Sequence, residues 1–248
     1  MATLRDLLFG YGDSVPIEPG EFTVLNTNYQ TAGNGGCCYL WSVPPGVTRA
    51  VFEMWSGGGS GAGGCCCMAG GGAGSGGYSI RSACVVPGQQ IQICAAGSGC
   101  CGDYYTSISG CPSWVCSTGG GATWLSCLTG GLTNGRCVTC NYWQSCYTCC
   151  SMCSGCGGTS NCADLTICGT TGTGFGTQYC AGAYHQYSAN GPMQASPRKA
   201  PNGCCSFGGI SGWGIFPGGG GWSAQQGSSG GCCLGGPGAG GQVYVLYY

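Results

Sequence analysis

Glycine is the residue that most constrains what this chain can fold into: it fills 56 of 248 positions and often occurs in runs, such as residues 57–64. Glycine lets backbones approach closely, but it loses more conformational freedom on folding than any other residue. A conventional core cannot easily offset this cost, because Leu, Ile, Val and Phe together number only 36. We therefore expect cysteine cross-links, close glycine packing and burial between identical subunits to stabilise the fold.

The low charge content and the short apolar runs argue against two kinds of interaction. Only 5% of the residues are charged and the formal net charge is -1. Six Lys and Arg cannot neutralise a phosphate backbone, so we expect no binding of nucleic acid. No apolar run approaches the ~20 residues that a membrane-spanning helix needs, so we expect no membrane span.

Strand patterns lie towards the two ends of the chain. Thr48, Ala50, Phe52 and Met54 alternate along residues 48–55 and predict one buried face. Further strands are predicted at 78–86, at 89–93 with Ile91 and Ile93 inward, and at 242–248, which is apolar on both faces and expected to be buried on both.

The class of fold follows from these strands and from the composition between them. We predict an all-β protein, a small β-sandwich with very long Gly/Cys-rich loops that span residues 98–239. Glycine runs can also pack as neighbouring polyproline II helices that hydrogen-bond through their backbones. We retain this variant for residues 57–77 and 208–241.

Residues 1–30 are predicted to be a separate attachment segment, and residues 31–248 the glycine/cysteine-rich β domain. Thr3 and Asp6 have the spacing of a capping box, and Leu4, Leu7 and Leu8 fall on one face of a short helix. We interpret this leucine face as a docking surface for a neighbouring protein. The alternative is a helix that folds back on its own domain.

The 26 cysteines favour disulfides, because many occur as adjacent pairs that would reach different partners. The alternative is a structural zinc ion at the C-x-x-C steps of one segment, and no other cofactor is expected. The residues of this alternative site are Cys137, Cys140, Cys146, Cys149, Cys150, Cys153 and Cys156. For the isolated Cys84, Cys94 and Cys180, a third interpretation is a small buried packing residue.

No arrangement of residues points to catalysis, so we expect a protein that is not an enzyme. His185 is the only histidine, and nothing in the sequence marks Asp164 as its orienting partner in a triad. Aromatic residues in the middle of the chain could instead stack on sugar rings at a receptor site, or plug glycine loops locally. These candidate receptor contacts are Tyr104, Tyr105, Trp114, Trp143, Tyr184 and Tyr187.

Turn and glycine motifs follow one another in a definite order. The order is VPPGVT at 43–48, a strand that ends at Trp55, the run 57–64, GGY at 76–78, VPGQ at 86–89 and GAGGQVYV at 238–245. In this order the chain resembles the glycine-rich domain of many phage tail fibres and other phage structural proteins. The resemblance covers about residues 40–97 and 236–248, and it does not include the cysteines.

The resemblance implies a structural protein on the surface of a bacteriophage virion. We expect a tail-fibre or adhesin type that binds other virion proteins through residues 1–30, contacts a host surface receptor and forms a homo-oligomer. The first 14 residues lack the apolar core of a signal peptide, as expected for a protein that leaves the cell by lysis. Two alternatives remain: a capsid decoration or cementing protein without receptor binding, and a cysteine-rich metal-binding protein.

Overall fold

The structure is a computed structural model, and it describes part of the chain. The described residues are 19–26, 36–61, 73–99, 108–118, 123–131, 158, 160–170, 204–205, 214–221, 225–226 and 235–248. Within them the secondary structure consists of strands, and no helix is present. The strands are β1 (Gly20–Leu25), β2 (Cys37–Ser42), β3 (Arg49–Trp55), β4 (Tyr78–Cys84), β5 (Gln90–Ala95), β6 (Ser113–Ser117), β7 (Thr123–Leu128), β8 (Ser160–Asn161), β9 (Leu165–Ile167), β10 (Cys204–Cys205), β11 (Gln225–Gln226) and β12 (Gln242–Tyr247).

Ten of these strands form two antiparallel sheets. Sheet A has the order β1-β12-β3-β4-β9, and sheet B has the order β2-β5-β6-β7-β8. The short strands β10 and β11 make a separate parallel pair. The predicted all-β sandwich is therefore confirmed.

The core lies between the two sheets and consists of alternate residues from each. Phe52 and Met54 of β3 are fully buried, as are Ile91 and Ile93 of β5. Trp41 packs across the interface with its ring centroid 6.4 Å from that of Phe52. The predicted inward faces of the strands at 48–55 and 89–93 are thus confirmed.

The turn motifs close one end of the sandwich, which we call the turn end. At residues 44–47 the N–H of Val47 donates to the carbonyl of Pro44, and Gly46 has φ 87°. At residues 86–89 the N–H of Gln89 donates to the carbonyl of Val86, and Gly88 has φ 80°. Pro at the second position and a positive-φ Gly at the third define type II turns.

The glycine runs continue the strands at the opposite end, which we call the glycine end. Residues 56–61 follow β3, and their six N–H groups donate to three neighbouring segments in strict rotation. The bonds run from Ser56 to Gly77, Gly57 to Cys111, Gly58 to Ala239, Gly59 to Gly74, Ser60 to Ile108 and Gly61 to Gly236. Each segment is contacted again after three residues, which is the period of a polyproline II helix.

The carbonyl groups of the same residues accept hydrogen bonds from three further segments. Gly57 accepts from Gly131 at 2.8 Å, Gly58 from Gly99 at 2.9 Å, and Gly59 from Gly221 at 2.8 Å. Residues 56–61 are therefore surrounded on all sides by backbone. We call this assembly the glycine bundle; it comprises residues 56–61, 74–77, 97–99, 108–111, 131, 218–221 and 236–239.

Side chains would not fit at many of the glycine positions of the glycine bundle. A Cβ added at Gly58 would lie 2.0 Å from the carbonyl oxygen of Gly219, and one at Gly110 would lie 2.0 Å from that of Gly57. Both distances are far below van der Waals contact. The glycine runs are thus required for the close approach of backbones. The three-residue period of residues 56–61 agrees with the polyproline II variant predicted for residues 57–77 and 208–241, and the parts of those ranges outside the described residues stay a prediction.

Three features differ from the sequence predictions. Residues 242–248 are not buried on both faces: Val243 and Val245 are fully buried, but the alternate residues are only half-buried, because they lie on the outer face of sheet A. Strands β6 to β11 lie inside the segment 98–239 that was predicted to consist of loops, and β6 and β7 are the longest of them. Strand β1 lies inside residues 1–30 and pairs with β12, so the end of that segment belongs to the sandwich.

Candidate functional site

Trp114 is the predicted receptor contact that the structure describes. It lies on β6, half-buried, directly opposite Cys94 of β5 and Cys127 of β7. Residues opposite one another in an antiparallel ladder share one face, and Val115 on the other face is fully buried. Trp114 is therefore on the outer face of sheet B, near the glycine end.

The other candidate contacts lie outside the described residues and stay predictions. They are Tyr104, Tyr105, Trp143, Tyr184 and Tyr187, together with the attachment residues Leu4, Leu7 and Leu8. The alternative metal site also lies outside, with Cys137, Cys140, Cys146, Cys149, Cys150, Cys153 and Cys156. In the described part of the chain, no group of three or more His, Cys, Asp or Glu side chains could hold a metal ion.

A disulfide joins Cys38 of β2 to Cys94 of β5. The two residues are directly opposite in the β2–β5 ladder, so the bond is a cross-strand staple on the outer face of sheet B. Cys94 is therefore not an unpaired packing residue, which was one interpretation of it. Cys37, the neighbour of Cys38, is a free exposed thiol, as is Cys84 on β4.

Two tyrosine–carboxylate pairs lie on the outer face of sheet A. The hydroxyl of Tyr78 donates to Oε1 of Glu53 at 2.6 Å, and the hydroxyl of Tyr244 donates to Oε2 of Glu21. Tyr244 is also directly opposite Glu53 in the β12–β3 ladder. The face thus carries two carboxylates with a tyrosine beside each, linking β1, β12, β3 and β4.

These pairs change the acidity of both tyrosines. Burial, followed by the hydrogen bond to Glu53 and the negative charge of that residue, raises the pKa of Tyr78 far above its ordinary value. For Tyr244 the hydrogen bond to Glu21 is the largest cause of a raised pKa, and burial and the charges of Glu21 and Glu53 add to it. Both hydroxyls therefore remain protonated donors throughout the neutral range.

Asp164, considered above as a partner for His185, has a structural role. Its Oδ1 accepts from Nη1 of Arg81 at 2.9 Å, and its Oδ2 accepts from the N–H of Ser82 at 2.6 Å. These bonds fasten the chain beside β9 to β4. His185 lies outside the described residues.

A cluster of aromatic rings fills the side of the sandwich where the edge strands β1 and β2 meet. Phe22 lies 5.5 Å from Tyr39, 5.6 Å from Trp41 and 6.3 Å from Tyr247 between ring centroids. Tyr39 is 50% exposed and its neighbour Leu40 is 57% exposed. This apolar edge was not predicted, because neither β1 nor β2 was recognised as a strand.

Comparison with known proteins gives no assignment: no family model matches this chain, and no curated protein is significantly similar to it. Within the described residues, no helix has the length and apolar character to cross a membrane. The described residues form a two-sheet scaffold whose strands carry aromatic, hydroxyl and thiol groups at their surfaces.

Proposed function

We propose that this chain is a structural protein exposed on a bacteriophage virion, of the tail-fibre or adhesin type that contacts the host surface. The observation that carries the proposal is the arrangement of the motifs that resemble the phage glycine-rich domain. The motifs at 43–48 and 86–89 form two type II turns that are hydrogen-bonded to each other, with Val43 donating to Gln89 and accepting from Gly88 at 2.9 Å each. The glycine runs that follow them along the chain form the bundle at the other end.

The two ends of the scaffold suit different tasks. Gly20 pairs with Tyr247 and Tyr248 pairs with Arg49, so residues before β1 join the sandwich at the turn end. This end fits attachment to other virion proteins through Leu4, Leu7 and Leu8. Trp114 lies near the glycine end, where a host surface receptor would be met.

Self-association fits the same proposal. The exposed Tyr39 and Leu40 on the edge strand β2 are apolar, and edge strands offer unpaired backbone groups. A homo-oligomer, and a trimer in a fibre, would cover such an edge. Light scattering at micromolar concentration should give a multiple of the 24.7 kDa chain mass, whereas a stable monomer would contradict this part of the proposal.

The location of the protein on the particle is the decisive test. Purified particles that carry the protein should bind an antibody against it at the tail or fibre in electron micrographs. Label spread over the capsid would instead support the decoration or cementing alternative. If purified virions do not contain the protein, the proposal is overturned altogether.

Contact with the host can be tested separately by competition. The purified protein should reduce adsorption of the particles to host cells, and Trp114→Ala should weaken this competition severalfold. Val86→Ala, which shortens an exposed apolar side chain at the turn end, is the control and should compete normally. Equal melting temperatures of the variants would show that the change is not caused by unfolding.

A further inference from the structure

Two cysteines meet at the β7–β8 edge of sheet B. Cys127 is directly opposite Asn161 in the antiparallel register, and Cys162 is the next residue along the chain. Both are free thiols in the structure, with Cys127 half-buried and Cys162 exposed. The chain therefore brings them within one residue of direct cross-strand pairing, although about 35 residues separate them in sequence.

The backbone at Cys162 explains how its side chain can face Cys127. If β8 continued as a regular strand, residue 162 would lie opposite Ser126 and on the inner face, where Ser126 is fully buried. Cys162 instead has φ 57°, in the left-handed region, and its side chain is exposed. This conformation is uncommon for a residue other than glycine. It ends the strand-like alternation of side chains between the two faces of sheet B directly after Asn161, next to Cys127.

The two thiols also interact electrostatically. Burial is the first cause that raises the pKa of Cys127, and the negative charge of Cys162 is the second. This effect is the one expected of a thiolate close to another thiol, as the register places them.

We propose that Cys127 and Cys162 form a second cross-strand disulfide, which fastens residues 160–162 to the edge of sheet B. It is the counterpart of the Cys38–Cys94 staple at the other edge of the same sheet. The loop that it closes contains the cysteine-dense segment from Cys137 to Cys156. The bond therefore links the chain before that segment to the chain after it.

The chemistry needs an external oxidant, which we take to be a low-molecular-weight disulfide. The exposed Cys162 thiolate attacks one sulfur of the oxidant and releases the other as a thiol, leaving a mixed disulfide. The Cys127 thiolate then attacks Sγ of Cys162 and releases the second small thiol. Two protein thiols are oxidised and one external disulfide is reduced to two thiols.

Peptide mapping tests the proposal on the full-length chain. The reduced protein is exposed to oxidised glutathione, its remaining thiols are blocked with N-ethylmaleimide, and it is digested without reductant for mass spectrometry. The expected product joins the peptide that contains Cys127 to the one that contains Cys162. Blocked thiols at both positions, or pairing of either residue with a different cysteine, would overturn the proposal.

Serine variants distinguish the Cys127–Cys162 disulfide from other disulfides of the chain. In Cys162→Ser, Cys127 should become reactive with the maleimide, and the oxidised variant should melt roughly 5–10 °C below the oxidised wild type. Cys127→Ser serves as the reciprocal variant, and Cys84→Ser, an exposed thiol on sheet A, should leave the cross-linked peptide unchanged. An oxidised Cys162→Ser variant that melts with the wild type would show that no such bond forms.

Discussion

Small polar side chains complete the backbone hydrogen bonds where the strands meet the glycine bundle. The hydroxyl of Ser113 accepts from the N–H of Ala96 at 2.9 Å and donates to the carbonyl of Trp55 at 2.7 Å. The hydroxyl of Ser56 likewise accepts from the N–H of Gly77 and donates to the carbonyl of Thr129. Because these serines are fully buried, no water can take over their bonds.

Replacing Ser113 tests this role at a single residue. Ser113→Ala removes the acceptor of the Ala96 N–H and the donor to the Trp55 carbonyl, at about 1–3 kcal/mol for each bond. We expect chemical denaturation to show a loss of roughly 2–4 kcal/mol in the free energy of unfolding. Ser82→Ala, on the half-buried outer face of sheet A, should change it by less than about 0.5 kcal/mol and serves as the control.

Tyr78 gives the fold a specific sensitivity to alkaline pH. Its pKa in the unfolded chain is near 10.0, and burial and Glu53 raise it in the folded protein. Above about pH 10 the unfolded chain loses this proton while the folded protein keeps it. The contribution of Tyr78 to the free energy of unfolding is therefore constant below that pH and falls above it. Tyr78→Phe should make the fall in melting temperature above pH 10 shallower. A variant that keeps the entire wild-type slope would contradict this role.

At the scale of elements, each central strand changes its mode of packing along its length. Strands β3, β5 and β12 form sheet ladders in the sandwich, and their continuations 56–61, 96–99 and 235–241 hydrogen-bond to several neighbours in the glycine bundle. A strand bonds to two neighbours in a sheet, whereas residues 56–61 bond to six segments. The change occurs where the sequence becomes rich in glycine, since a residue without a Cβ lets backbones approach closely.

A pair of glycine variants distinguishes crowding from backbone conformation. Gly58→Ala places a Cβ 2.0 Å from the carbonyl oxygen of Gly219, and neither atom can move without breaking bundle hydrogen bonds. We expect loss of at least about 4 kcal/mol, or no folded protein in the soluble fraction. At Gly88 a Cβ would meet nothing within 4 Å, and φ is 80°. Asn tolerates this conformation, so Gly88→Asn should cost about 1 kcal/mol or less.

Some elements could be predicted from the sequence because their patterns are local. The alternation of Phe52 with Met54 and of Ile91 with Ile93 marked two strands, and the Pro-Gly pairs marked both type II turns. Strands β6 and β7 were missed because serine occupies inward positions such as Ser113 and Ser126. Inward serines hide the apolar alternation on which strand prediction depends.

The sites were harder to predict than the strands. Trp114 could be selected by residue type, but the Tyr78–Glu53 and Tyr244–Glu21 pairs depend on the register between strands that are distant in sequence. The same is true of Cys38 with Cys94. Nothing local indicates which cysteine is opposite which until the ladder is known.

At the scale of the whole molecule, we predict that disulfides and backbone packing compensate for the small number of apolar residues. The Cys38–Cys94 disulfide spans 56 residues, and the loop-entropy model gives about 4 kcal/mol for such a closure. Reductant should therefore lower the melting temperature by roughly 10 °C, while a chelator alone should not. Cys38→Ser/Cys94→Ser should melt lower and respond less to reductant. A shift with chelator alone would instead indicate the alternative structural zinc site.

The separation of the turn end from the glycine end has a mechanical consequence. If residues 1–30 attach the protein to the particle as proposed, the tether pulls on β1 at the turn end, and a load on the glycine end pulls the same strands from their opposite ends. Ladder hydrogen bonds are perpendicular to antiparallel strands, so such a force shears many of them together rather than peeling them one by one. The scaffold is therefore oriented to resist tension along its length, even though its apolar core is small.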